Sequence, residues 1–285
     1  MITIRTSQKI TLARWAYFGL TGIRRLLGLS SMVQAKRNGM RWHLDLQEGI
    51  DFSIYVLGAF EPKTVRLYEQ FVKAGDVVLD IGANVGAHTL PLARLVGDKG
   101  RVIAFEPTDY AMQKLLANIA LNPSLIQRIE AHQVMLVSSS GDAVETGLYS
   151  SWPLVARGNV HKKHQGRLMA TTGAASSTLD QWVKTYHVDK VNFVKLDVDG
   201  HEYSVLAGGR QTLGQYKPII LMELEPCLYD DEPANFDGLL QIVDDLGYSL
   251  RDVNTGKSLP NDPHILRQLI PDGASRNVLA AVSFP

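Results

Sequence analysis

The chain has 285 residues, 45% of them apolar and 20% charged, with a formal net charge of zero. That composition excludes a disordered or fibrous chain and allows one large domain with a full core. The single cysteine, Cys227, excludes an intramolecular disulfide and a C-x-x-C zinc site, and it fits a reducing cytoplasm.

The zero charge hides an asymmetry. Residues 1–44 hold eight Lys/Arg (Arg5, Lys9, Arg14, Arg24, Arg25, Lys36, Arg37 and Arg41) and no Asp or Glu. The remainder has 21 basic and 29 acidic residues, a net of −8. A basic head on an acidic body marks an interaction segment. Residues 10–29 read as an amphipathic helix, with Leu12, Trp15, Ala16, Leu20, Ile23 and Leu27 on one stripe. The stripe suits a peripheral membrane contact. Its commoner use is packing, against the enzyme core or a second copy in a homo-oligomer. Residues 1–12 lack the apolar core of a cleavable signal, and the longest apolar runs are too short to cross a bilayer, so a cytoplasmic location is expected.

Alternation around Arg41-Trp42-His43-Leu44 predicts a strand, in a strand pair reaching 55, and 61–73 a helix with Pro62 in its first turn. A strand–helix rhythm follows. Strands are predicted at 76–81, 101–105, 129–137, 191–196 and 219–223, and helices at 86–96, 110–121, 202–213 and 236–246. A closing strand pair is predicted at 248–253 and 277–283. This rhythm means an α/β fold with a doubly wound, mostly parallel sheet and antiparallel last strand. Residues 1–55 form an N-terminal helical and strand extension, and 56–285 the main domain. The Ser/Gly/Thr-rich stretch 138–177 reads as a lid over an acceptor.

Such sheets bind ligands at the carboxyl ends of their strands. The first strand of the rhythm ends in Asp80-Ile-Gly-Ala-Asn-Val-Gly86, and the next delivers Glu106, placed to take two ribose hydroxyls. The glycines do not make the G-x-G-x-x-G of a dinucleotide site, and Asp80 would repel a pyrophosphate. An acid there suits a cationic ligand instead, such as the sulfonium and amino group of S-adenosylmethionine.

Asp80-Ile-Gly-Ala-Asn-Val-Gly-Ala-His-Thr-Leu90 and Val102-Ile-Ala-Phe-Glu-Pro107 resemble the S-adenosylmethionine motifs of FkbM-type methyltransferases. So do Ser177-Thr-Leu-Asp180, Val194-Lys-Leu-Asp-Val-Asp-Gly-His-Glu202, Val205-Leu-Ala-Gly208 and Pro218-Ile-Ile-Leu-Met-Glu223, from about residue 55 onward. Asp199 stands where the family more often has Glu. The resemblance implies a Rossmann-like methyltransferase fold, S-adenosylmethionine as cofactor, and O-methylation of a hydroxyl on a sugar, glycan or polyketide-like small molecule. It carries Asp80, Gly82, Asn84, Gly86 and Glu106 over as cofactor-binding, with Gln133 and Met135 near the adenine.

An alcohol acceptor benefits from a general base. The 191–196 strand is followed by Asp197, Asp199, His201 and Glu202. His201 is the candidate base and Asp197 its orienting partner, or the holder of the cofactor's amino group. Asp197, Asp199, His201 and Glu223 are also possible Mg²⁺ ligands by type, but no compact motif enforces a site, so no metal is assigned. Trp42 and Trp152 are candidates to stack on a sugar, and His161, Lys162 and Lys163 to meet an acidic acceptor. The competing readings are an N-methyltransferase on protein or nucleic acid and a non-catalytic S-adenosylmethionine-binding scaffold. The acidic body argues against a nucleic-acid partner, and Asp197-Val-Asp-Gly200 is not an Asn/Asp-Pro-Pro-aromatic signature.

Overall fold

The structure is a computed structural model that describes residues 6–155 and 166–284. Helix α1 (Thr6–Leu26) precedes a hairpin of β1 (Met32–Arg37) and β2 (Met40–Asp45), then α2 (Gly49–Leu57) and α3 (Pro62–Phe71). Next come β3 (Val77–Ile81), α4 (Thr89–Leu95), β4 (Arg101–Phe105), α5 (Asp109–Ala120) and β5 (Ile129–His132). An insertion holds β6 (Val134–Leu136), β7 (Gly147–Ser150), β8 (Arg167–Ala170) and β9 (Ala175–Ser177). The chain then runs through α6 (Leu179–Thr185), β10 (Phe193–Leu196), α7 (Glu202–Ala207), α8 (Arg210–Tyr216) and β11 (Ile219–Leu224). It closes with α9 (Pro233–Asp245), β12 (Ser249–Asp252), β13 (Ser258–Leu259), α10 (Pro263–Leu269) and β14 (Arg276–Ala281).

The main sheet has the order β13-β12-β14-β11-β10-β3-β4-β5. Strands β11 to β5 are parallel. Strands β14, β12 and β13 extend the sheet antiparallel. This is the expected doubly wound sheet, with three antiparallel strands where the sequence predicted two. Every residue of β3 is buried, as a strand covered on both faces requires. One apolar cluster lies under α6–α10 and another under α2–α5 and the N-terminal hairpin. The chain winds outward from β3 to β5, then crosses to β10 and winds the other way. The carboxyl ends of β3 and β10 are therefore neighbours at the topological switch point.

The N-terminal hairpin docks through polar side chains. Asn118 of α5 and Asn122 just beyond it accept from the backbone N–H of His43 (2.8 Å) and Arg41 (2.9 Å), so the free edge of β2 is paired. The hairpin lies earlier in the chain than predicted, and α2 follows it. Its turn is Asn38-Gly39, both at positive φ (46° and 80°), the two-residue signal that fixes a hairpin register. The predicted 202–213 helix is two helices, because the chain bends at Gly208-Gly209. A Cβ at Gly208 would lie 2.2 Å from the Val137 carbonyl oxygen.

Three other expectations change. Only part of the α1 stripe packs on the core: Leu20 does, beside Ala13, Tyr17 and Thr21, whereas Leu12, Trp15, Ile23 and Leu27 are exposed. Trp42 is buried in the core beneath the hairpin, so it stacks on no ligand. The 138–177 stretch is built around two strand pairs, β6 with β9 and β7 with β8. His161, Lys162 and Lys163 lie outside the described residues.

At the switch point the backbones nearly touch. A Cβ at Gly82 (φ 80°) would lie 1.8 Å from the Asp197 carbonyl oxygen. Gly82→Ala should cost about 3 kcal/mol or more in urea unfolding, because neither backbone can give way. Gly256→Ala, at φ 68° with open space around it, should cost only the left-handed penalty of about 1–2 kcal/mol.

Candidate active site

Two cavities meet at the switch point. The first has about 590 Å³ of free space, with Gly82, Asn84, Glu106, Met135, Tyr149 and His201 in its wall. Glu106 is buried where β4 ends. Its Oε2 accepts from the Asn84 backbone N–H (2.9 Å), and its Oε1 from the Thr108 N–H (2.8 Å) and hydroxyl (2.5 Å). Burial raises its pKa, and these donors work against that rise. A carboxylate offers about four acceptor sites, so acceptor capacity remains for ribose hydroxyls. Phe105, Val134, Met135 and Leu136 give the same cavity an apolar wall suited to an adenine ring. The residues present therefore fit S-adenosylmethionine. Gly82, Asn84, Glu106 and Met135 are the sequence-expected residues that line this space.

Three expected cofactor residues stand behind the lining. Asp80 is fully buried, with Oδ2 accepting from the Thr89 hydroxyl (2.6 Å) and Oδ1 unpartnered. Gly86 makes room for α5, because a Cβ there would lie 2.9 Å from Leu115 Cδ1. The Gln133 side chain donates to Asp109 Oδ1 (2.6 Å) and the Pro107 carbonyl, fastening the turn after β4.

The second cavity, about 770 Å³, adds Glu61, His88, Trp152, Lys195, Glu223 and Glu225. It shares Gly82, Asn84, Asp197 and Asp199 with the first. Asn84 joins the two walls: its side chain donates to Ser150 Oγ (3.2 Å) at the end of β7, and its backbone N–H to Glu106. Glu61, Asn84 and Asp199 all have left-handed φ (45°, 48° and 49°), so backbone strain gathers around this cavity. Trp152 packs against Phe60 on its apolar side (ring centroids 5.4 Å apart).

Lys195 is buried, with Nζ 2.9 Å from Asp197 Oδ2. Burial works against its ammonium, but Asp197 and Asp80 more than compensate and raise its pKa. Burial would likewise raise the Asp197 carboxyl, yet Lys195 beside it holds it below the ordinary value. Asp199 and Glu223 are pushed well above the carboxylate range, by burial first and then by the Asp197 charge. At the junction Asp197 is thus biased towards its charged form, and Asp199 and Glu223 towards their protonated forms.

His88 was not singled out by the sequence reasoning. It is buried, its Nδ1 lies 2.5 Å from the Tyr68 hydroxyl, and Nε2 has no partner. Burial, then Lys195, lowers its pKa to about 3, so the ring is neutral. The signal was present in the sequence, two residues after Gly86, but nothing there placed it against Tyr68. His201 lines only the first cavity, and its Nδ1 is 3.6 Å from Glu145 Oε1. Among the described residues, no group of three His, Cys, Asp or Glu side chains is arranged to hold a metal ion.

The raised pKa of Glu223 leaves a stability signature. Its folded pKa lies above its ordinary 4.5, so the folded state keeps a proton that the unfolded state releases. Wild-type stability should fall as pH rises above about 4.5, and Glu223→Gln should remove that part of the fall. By thermal melting, the variant should be about 2–4 °C more stable than wild type at pH 8, with the gap closing as pH falls towards 4.5.

The chain matches known proteins across this region. It is 30% identical over 161 residues to the hexuronic acid methyltransferase AglP of Haloferax volcanii, 56% of this chain and 61% of that protein. It is 24% identical over 208 residues to the 2-O-methyltransferase NoeI of Sinorhizobium fredii, 66% of this chain and 84% of that protein. A solved FkbM methyltransferase from Methylobacillus flagellatus aligns at TM-score 0.42 and 16% identity, over 76% of this chain and 50% of that one. The methyltransferase FkbM domain matches residues 80–250, which span β3 to β12 and most of both cavity walls. The chain belongs to the FkbM methyltransferase family, and its donor is S-adenosylmethionine.

Proposed function

We propose that this protein transfers a methyl group from S-adenosylmethionine to a hydroxyl of a sugar, free or within a glycan. The observation that carries this reading is the position of Asp197, an ionised carboxylate in the wall of both cavities. S-adenosylmethionine, when bound, supplies an electrophilic methyl on a sulfonium. A hydroxyl entering from the second cavity meets Asp197 at the junction. Asp197 accepts its hydrogen bond and holds the oxygen in line. As the new C–O bond forms, the hydroxyl proton becomes strongly acidic, so even a carboxylate of lowered pKa can take it. Lys195 keeps Asp197 ionised until then. Glu106 holds the ribose and so positions the donor. Asp197 is the proton acceptor in this reading, and His201 sits on the cofactor side.

Trp152 offers a face for a sugar ring, with His88 and the surrounding carboxyl groups as hydrogen-bond partners for its other hydroxyls. The named activities of AglP and NoeI support a sugar acceptor. With Asp199 and Glu223 biased towards neutrality, the second cavity still holds three other carboxyl groups (Glu61, Asp197 and Glu225) against one ammonium, Lys195. That balance favours neutral over anionic sugars.

The test uses methyl-labelled S-adenosylmethionine with neutral hexosides and hexuronosides. Label should appear as a methyl ether, faster on the neutral sugar. Label on nitrogen, or on protein or nucleic acid alone, would overturn the reading. Asp197→Asn should lower kcat by about 10²-fold or more with little change in S-adenosylhomocysteine affinity. Glu106→Gln should do the reverse, weakening that affinity by about tenfold or more in calorimetry, as loss of a charged acceptor does.

A further inference from the structure

We propose that α1 docks this protein on an anionic membrane surface, lying in the lipid–water interface with its outward apolar face in the acyl boundary. The helix is apolar on two sides, whereas an ordinary surface helix turns one apolar stripe to the core. The core side carries Ala13, Tyr17, Leu20 and Thr21, with two arginines at its margins. Arg14 bonds the Pro153 carbonyl, and Arg24 the Ser30 carbonyl (2.8 Å). The outward side carries Leu12, Trp15 (76% exposed), Phe18, Ile23 and Leu26 (89% exposed). Leu27 and Leu29 continue the exposed run beyond the helix. A contiguous apolar surface of this kind marks an interaction site.

Charge selects the occupant. Residues 1–44 contain no Asp or Glu and eight Lys/Arg, six besides the body-bonded Arg14 and Arg24. A second copy meeting this face about a two-fold axis would bring two basic segments together. An anionic bilayer matches both parts of the surface: acyl chains take the Trp, Phe and Leu side chains, and headgroups take the cations. No helix among the described residues is long and apolar enough to cross a membrane, so the contact is peripheral. Because Arg14 bonds Pro153, the residue after Trp152, docking would set the acceptor cavity close to the lipid surface.

The full chain should co-sediment with phosphatidylcholine vesicles containing about one third phosphatidylglycerol, less so as salt rises, and weakly with phosphatidylcholine alone. Trp15→Ser/Phe18→Ser/Leu26→Ser should bind at least about tenfold more weakly, with the wild-type melting temperature, since these side chains are exposed. In a second measurement, brominated lipid should quench a part of the wild-type fluorescence that Trp15→Phe lacks. Absence of wild-type binding to anionic vesicles, or equal binding by the triple variant, would overturn the proposal. So would a lipid-free dimer that the triple variant dissolves, which would assign the face to a second copy.

Discussion

The contact between Lys195 and Asp197 sets the electrostatics of everything around it. Lys195 is a buried ammonium at the end of a central strand, among Asp80, Asp197 and Glu223. Its charge holds Asp197 ionised, works with burial to keep His88 neutral, and opposes the rise in the pKa of Asp80. Asp197, once charged, pushes Asp199 and Glu223 towards their protonated forms. Mutual repulsion in the cluster is thereby eased, with Asp197 biased towards its charged form and Asp199 and Glu223 towards neutrality.

The fold makes this arrangement by bringing the ends of β3 and β10 into near contact. Gly82 is required because the Asp197 carbonyl occupies the space of a side chain. Asn84 and Asp199, both in left-handed backbone, line both cavities at the junction. Asn84 then ties the β3 loop to the inserted hairpin at Ser150. Cofactor cavity, acceptor cavity and insertion are thus joined through a few residues whose backbone conformations are costly and held in place by their surroundings.

Much of this was legible in the sequence. The strand–helix rhythm gave the sheet, because buried parallel strands read as continuous apolar runs. Glu106 and Asp197 were legible as cavity-lining residues because ligand sites follow strand ends. What remained hidden depended on contacts between distant segments. Gly86 looked like a ligand glycine, yet its missing Cβ accommodates Leu115 from another helix. Nothing local shows that Tyr68 fixes His88, or that Lys195 lies within reach of Asp80. Helix α1 was misjudged because periodicity identifies an apolar face without saying which way it points. Trp42 failed for the related reason that an aromatic in an alternating strand is as readily core as ligand platform.

The most direct test of this account is the pH dependence of kcat for Lys195→Gln, with S-adenosylhomocysteine binding as the check that the protein is folded. Removing the ammonium should let burial raise the Asp197 carboxyl. The acid limb of the profile should then move to higher pH, and the maximum rate should fall, while cofactor affinity holds. An acid limb at the same pH as wild type would mean that Asp197 does not owe its charge to Lys195, and the proposed proton acceptor would have to be sought elsewhere.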